Sequence, residues 1–267
     1  MKLPQLPFGR VYFCAVLLMP IGVSDAAEIS FLFIGETDTA AYLGAGQGLR
    51  EANAQGEFLG ASYRLTSDAT KGPDNRSIVA VVAAVNPTRL ARIVEENSDL
   101  PIFNIAAAEA SVRENCEPNL FHINPSSTML ADAVRQWRRN NPSSRAHART
   151  WHKSFRKYAA GQLNIRFKEY TGQVMDDDSW AGWAAIKLLA DTIVRQPSLH
   201  GALLIEELKT NVAFDGQKGM DMGFRETGQL RQPLLLIEDD KIVGEAPVRG
   251  VVDTMDLDSL GIEFCAK

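Results

Sequence analysis

The chain has 267 residues, 45% of them hydrophobic and 23% charged, with a formal net charge of −5. That acidic balance argues against a nucleic-acid protein, which needs a basic surface for phosphates. After the N-terminus no apolar stretch approaches the roughly 20 residues of a spanning helix, so the rest of the chain is expected to be soluble.

Lys2 and Arg10 accompany a short polar start, followed by the apolar run Val11 to Met19. This run is too short to cross a bilayer, and Ser24 and Ala26 then supply small residues at the spacing signal peptidase needs. Residues 1–26 therefore read as a signal peptide cleaved after Ala26, which directs the protein to the periplasm. The alternative is an uncleaved anchor or a buried strand. Cleavage leaves about 240 residues, enough for one large domain or two small ones. It removes Cys14 and leaves Cys116 and Cys265, which in an oxidising compartment either close a long disulfide loop or stay as two unpaired thiols.

The first predicted strand is 28–35, a near-continuous apolar run ending in Gly35, as expected of a strand buried on both faces of a parallel sheet. Leu43, Ala45, Leu49 and Ala52 follow at helical spacing. Further strands are predicted at 62–65, 78–85, 101–106 and 120–123. A helix at 88–97 follows the stop Asn86-Pro87, and another, capped by Ser127, runs to about Arg139. Residues 27–139 thus alternate strand and helix as one α/β unit, a doubly wound parallel sheet.

From Asn140 the character changes. Asn140-Asn141-Pro142-Ser143-Ser144 reads as a linker, and helices are expected at 151–170, 178–195 and 199–209. Extended segments return at 220–224, and 233–237 with 241–243 form a predicted hairpin around Asp239-Asp240. The sequence therefore divides at 139/140 into an α/β lobe and a mostly helical second part.

In open α/β sheets ligands sit beyond the carboxyl ends of the strands. That rule selects Gly35, Glu36 and Thr37 after the first strand, Asn86 after the third, Asn104, Ala107 and Glu109 around the fourth, and Asn124 after the fifth. Asn86-Pro87 and Asn124-Pro125 read equally well as turns and helix starts. Trp180 could stack on a planar ligand from the helix it shares with Trp183, although core packing fits it better. Asp176 to Asp178 read as a helix cap, not a metal site. Gly44 to Gly48 lack the spacing and position of a dinucleotide loop and suit close helix packing. Eight basic residues, from Arg135 to Lys157 with no acid among them, read as a solvated junction. No nucleophile elbow, zinc motif, Cys-x-x-Cys or P-loop is present, so no enzyme and no cofactor is expected.

Several motifs resemble type I periplasmic solute-binding proteins of the branched-chain amino acid ABC-transporter kind. They are Gly44 to Asn53 with its Glu51-Ala52-Asn53 ending, Pro101 to Glu109, Asn119-Leu120-Phe121-His122, and Phe214-Asp215-Gly216 with Gly219, Phe224 and Gly228. Asp178 to Ala185 and Gly228 to Pro233 look closest to a subgroup associated with pyrroloquinoline quinone-dependent alcohol oxidation. The resemblance implies a non-enzymatic, monomeric binding protein that hands a small solute to an inner-membrane ABC permease. Two departures stand out. Ala106, Ala107, Ala108 and Glu109 replace the hydroxyl residues that hold an amino acid ligand in that family. The parallel sheet of the family's second lobe also has no room between Asn140 and Trp151, since a βαβ unit takes about 30 residues. The second lobe is thus expected to be truncated. A relative that binds no solute and serves as an interaction module, or serves no purpose, is the alternative.

Overall fold

The computed structural model describes residues 28–67, 78–261 and 264–266. The signal-peptide reading, Cys14 and the turn-rich stretch at 68–75 lie outside those residues. The first sheet is parallel, in the order β2-β1-β3-β4-β5. Its strands are β1 (Glu28–Ile34), β2 (Ser62–Thr66), β3 (Ile78–Ala83), β4 (Ile102–Asn104) and β5 (Leu120–His122).

Strict alternation explains why these strands read as unbroken apolar runs. Phe31, Phe33, Ala80, Val82, Phe103 and Phe121 face one core. Leu32, Val81, Ala83, Ile102 and Leu120 face the other, covered by helix α2 (Pro87–Glu96). On the first face lie α1 (Ala40–Leu59), α5 (Ala160–Thr171), α6 (Asp177–Arg195) and α7 (Gly201–Thr210). A short α3 (Ser111–Glu114) connects β4 to β5.

α1 and α6 cross at glycines. A Cβ on Gly44 would lie 1.9 Å from the Ser179 carbonyl oxygen, and one on Gly182 would lie 2.0 Å from that of Ala41. The glycine-rich stretch of α1 is therefore a helix-packing surface. α6 starts with a capping box, in which Asp176 accepts from the Ser179 amide at 2.9 Å and Ser179 Oγ accepts from the Asp176 amide at 2.7 Å. The Asn53 side chain bonds both the amide and the carbonyl of Tyr63, at 2.8 and 2.9 Å, and so clamps β2 to α1.

A second sheet, order β6-β7-β8, is antiparallel: β6 (His147–Arg149), β7 (Leu234–Glu238) and β8 (Lys241–Ala246). Asp239 and Asp240, both at positive φ (49° and 57°), make the expected hairpin turn. α4 (Ser127–Asn140) packs on this sheet, with Met129 and Ala133 in one core with Ala146, Leu234, Leu236 and Ala246. Packing thus groups α4 with the second sheet, ahead of the division drawn at 139/140.

Three local expectations are corrected. Ser126, not Ser127, caps α4, its hydroxyl accepting from the Met129 amide at 3.1 Å. The helix expected from Trp151 begins only at Ala160, after Tyr158 and Ala159 in left-handed backbone. Trp151 and Phe155 share one core from a loop, and Asn164 holds that loop by donating to the carbonyls of Lys153 and Phe155 at 3.2 and 3.0 Å. The strand expected at 220–224 is reduced to the isolated bridges Phe214–Met222 and Phe224–Leu230.

Candidate functional site

The chain leaves β1 toward β2 on one side and leaves β3 toward β4 and β5 on the other, so the switch point lies between β1 and β3. Glu36 and Thr37 stand exposed there, and the Thr39 hydroxyl bonds the Glu36 carbonyl at 2.9 Å. Asn86 is exposed too, but its Oδ1 accepts from the Arg89 amide at 3.0 Å and caps α2. The helix-start reading of Asn86 therefore describes its bond.

The carboxyl ends of β4 and β5 hold a buried polar network. Asn104 is fully buried; its Oδ1 accepts from the Ala106 and Ala107 amides at 3.1 and 2.9 Å, and its Nδ2 donates to the Ala107 carbonyl at 2.8 Å. The same Nδ2 lies 2.9 Å from His122 Nδ1. Since Asn104 Oδ1 faces two amides, Nδ2 is the donor to His122, and the neutral imidazole carries its proton on Nε2. Burial, then the nearby Arg113 cation, pushes the His122 pKa well below 6.5.

Arg113, also fully buried, donates through Nε to Gln229 Oε1 at 2.6 Å, through Nη1 to the Ala107 and Glu109 carbonyls, and through Nη2 to the Asn124 carbonyl at 3.0 Å. Gln229 Nε2 also reaches the Asn124 carbonyl, at 3.1 Å. Asn124 Nδ2 donates to the Ile105 carbonyl at 2.6 Å, while its Oδ1 is buried without a hydrogen-bond partner. Ala106 and Glu109 stand exposed on the same loop.

The network thus brings Asn104, Ala107, Glu109 and Asn124 together on one frame, with Glu36 and Thr37 at the neighbouring switch point. Trp180 is not part of it. Fully buried, Trp180 stacks on Trp151 with ring centroids 6.0 Å apart, and its Nε1 donates to the Gly216 carbonyl at 3.1 Å. It is a core residue.

Arg113, in α3, and Lys218 escaped the sequence reading, while Gln229 and Gln232 entered it only within the stretch Gly228 to Pro233. For Lys218 and Gln229 the neighbouring Gly219 and Gly228 were the available signal. Lys218 is buried, its Nζ donating to Gln232 Oε1 at 2.8 Å and to the Pro233 carbonyl at 3.0 Å, and Gln232 Nε2 donates to the Ile123 carbonyl at 2.6 Å. His152 sits between Ser154 Oγ at 2.7 Å and Asp240 Oδ1 at 3.0 Å. Asp240 is exposed and shared with Lys153, so this chain staples the 151–156 loop to the hairpin turn. Cys116 and Cys265 are bonded, with Cα atoms 5.5 Å apart. No group of three metal-ligating side chains, and no helix long and apolar enough to cross a membrane, occurs among the described residues.

These elements define the class: an α/β protein with the type I periplasmic-binding-protein fold. A branched-chain amino acid ABC transporter periplasmic ligand-binding protein from Burkholderia xenovorans matches with TM-score 0.64 and 11% identity, over 81% of this chain and 95% of that one. An ABC transporter substrate-binding protein from Desulfitobacterium hafniense, in complex with Leu, matches with 0.64 and 14%, over 80% and 99%. An ABC transporter solute-binding protein from Rhodopseudomonas palustris, in complex with 3,4-dihydroxybenzoic acid, matches with 0.63 and 8%, over 82% and 94%. No protein-family model and no curated protein sequence matches the chain. The near-complete coverage of the neighbours lends no support to the expected truncation.

Proposed function

We propose that the chain is the solute-binding component of an ABC importer, exported to the periplasm by residues 1–26 and working as a monomer with an inner-membrane permease. The observation that carries this reading is the loop frame at the carboxyl ends of β4 and β5, built in a fold shared with solute-binding proteins. A ligand there meets Glu36, Thr37 and Glu109.

An amino acid fits poorly. Ala106 to Ala108 offer no hydroxyl, and Asn104 already occupies the amides of Ala106 and Ala107. The buried Arg113 cation behind the loop offsets the exposed carboxylates of Glu36 and Glu109, so the site admits a ligand that carries negative charge. A carboxylate-bearing solute that is not an amino acid meets both conditions. Pyrroloquinoline quinone, which carries carboxylates, is such a solute, and that finer choice rests on the sequence of Asp178 to Ala185 and Gly228 to Pro233 alone.

A second reading, an interaction module that takes no solute, is favoured by the small second sheet. Its three strands run only three to six residues, and a single short strand separates α4 from α5. Titration separates the two. Tryptophan emission and thermal unfolding are followed with pyrroloquinoline quinone, 3,4-dihydroxybenzoic acid, short alcohols and leucine. At a hundredfold excess over Kd a true solute adds about 2.7 kcal/mol of stability. A saturable shift with an acid and none with leucine supports the solute reading, and no shift with any compound overturns it.

A further inference from the structure

β6 is the end strand of the second sheet and pairs with β7 on one edge only. α4 reaches beyond that edge. Met129 and Ala133 are wholly buried over the sheet, while Leu130 and Val134, the next positions along the helix, are only half-buried. Together with Ala148 they border a groove of about 570 Å³ whose rim carries Arg135, Arg138 and His147. An edge strand offers unpaired amides and carbonyls to any added chain, and an apolar helix face above the vacant lane supplies burial for alternate side chains.

We propose that this groove takes an extended segment of a partner protein, added as a fourth strand beside β6, with apolar side chains under Leu130 and Val134 and acidic ones at the rim. Charge decides the occupant. Asp132 offsets Arg135, and Asp177 offsets Arg149 on β6, which leaves Arg138 as the rim cation that attracts carboxylates. A second copy of the chain is the poorer occupant. Antiparallel pairing of β6 with its own copy brings the Arg138 cations of two rims to one seam, where like charges repel.

The test is fluorescence anisotropy on the purified full chain with three labelled octapeptides. One alternates Val and Glu, the second alternates Val and Lys, and the third is the acidic peptide N-methylated at alternate residues. Saturable binding of the acidic peptide is expected, at least about tenfold weaker for both others, since rim charge and backbone hydrogen bonds each contribute. The variant Arg138→Glu should reverse the charge preference. Binding that ignores N-methylation, the absence of an acid preference in the unmodified chain, or a dimer in sedimentation that Val134→Asp breaks would each overturn the proposal. The peptide series on the unmodified chain decides even if a variant fails to fold. None of these residues belongs to the β4–β5 loop frame, so failure here leaves the solute reading standing.

Discussion

Lys218 holds its ammonium 4.1 Å from the centroid of the Trp180 ring, inside the protein. Burial brings its pKa down to about 7 from the ordinary 10.5, and the charge of Asp177 opposes only part of that shift. Between those two values the unfolded chain holds a proton that the folded chain has released, so stability rises with pH from about 7 to 10.5 and the penalty stays in full below 7. Lys218→Met should flatten that rise in denaturant melts taken at pH 6.5, 8 and 9.5. Tryptophan emission should also titrate near neutrality in the unmodified chain and not in the variant. A Lys218→Met chain that keeps the slope would contradict this account.

His122 answers to acid in the same sense. Its folded pKa lies below 6.5, so as the pH falls from 6.5 the unfolded state takes up a proton that the folded state refuses, and stability is lost. Nitrogen-15 NMR should show the Nε2–H tautomer and no titration near pH 6.5. Arg113→Met removes the repelling cation, and it also takes one donor each from the Ala107, Glu109 and Asn124 carbonyls and from Gln229 Oε1. It should cost about 3 kcal/mol or more, as breaking a buried charged network does, while raising the His122 pKa. A stable Arg113→Met protein with His122 unmoved would show that the network does not set that pKa.

The Cys116–Cys265 bond spans 149 residues of sequence and ties the end of α3 to the C-terminal tail, where the Ala266 amide also bonds the Glu114 carbonyl at 2.7 Å. In the chain-entropy description a loop of this length stabilises by about 5 kcal/mol. Cys116→Ser with Cys265→Ser should therefore lower the unfolding midpoint sharply. In denaturant without reductant, thiol titration of the uncleaved chain should detect only Cys14, and all 3 cysteines after reduction. Three reactive thiols before reduction would refute the bond.

Gly44→Ala separates helix propensity from packing. On an exposed helix the change would stabilise by up to about 1 kcal/mol. Here the added methyl meets the Ser179 carbonyl, part of the α6 backbone, which cannot swing aside. A loss of about 1–3 kcal/mol is expected, as for overpacked cores, and Gly182→Ala should behave alike against Ala41. Thermal melts of Gly44→Ala and of Gly60→Ala, which stands at φ 71° in open space, would tell steric contact from backbone strain.

What the sequence disclosed and what it hid follow from the same physics. β1 and β3 were legible because both faces of each strand are buried, and α2 because Asn86-Pro87 announces its start. β6 was not: His147-Ala148-Arg149 is a three-residue edge strand with polar side chains flanking one alanine, and it carries no run to read. The helix expected from 151 begins only at Ala160, because Trp151 and Phe155 enter one core from a loop. Among site residues, loop position alone found Asn104 and Asn124. Arg113 and Gln229, which both donate to the Asn124 carbonyl, lie 116 residues apart in sequence. Only the fold brings those two together.

Export makes the last prediction. Ser24 and Ala26 occupy the third and first places before the proposed cut, and a signal peptidase pocket accepts only small side chains at both. Intact-mass measurement of protein from a periplasmic fraction should give a chain that begins at Ala27. Ala26→Arg should leave a larger, membrane-retained precursor, because the run from Val11 to Met19 then stays attached to the folded part. A chain beginning at Met1 in the soluble fraction would overturn the reading of residues 1–26. It would also leave Cys116 and Cys265 in a reducing compartment, where such a pair stays as thiols. The N-terminal mass and the thiol count must therefore agree, and either measurement checks the other.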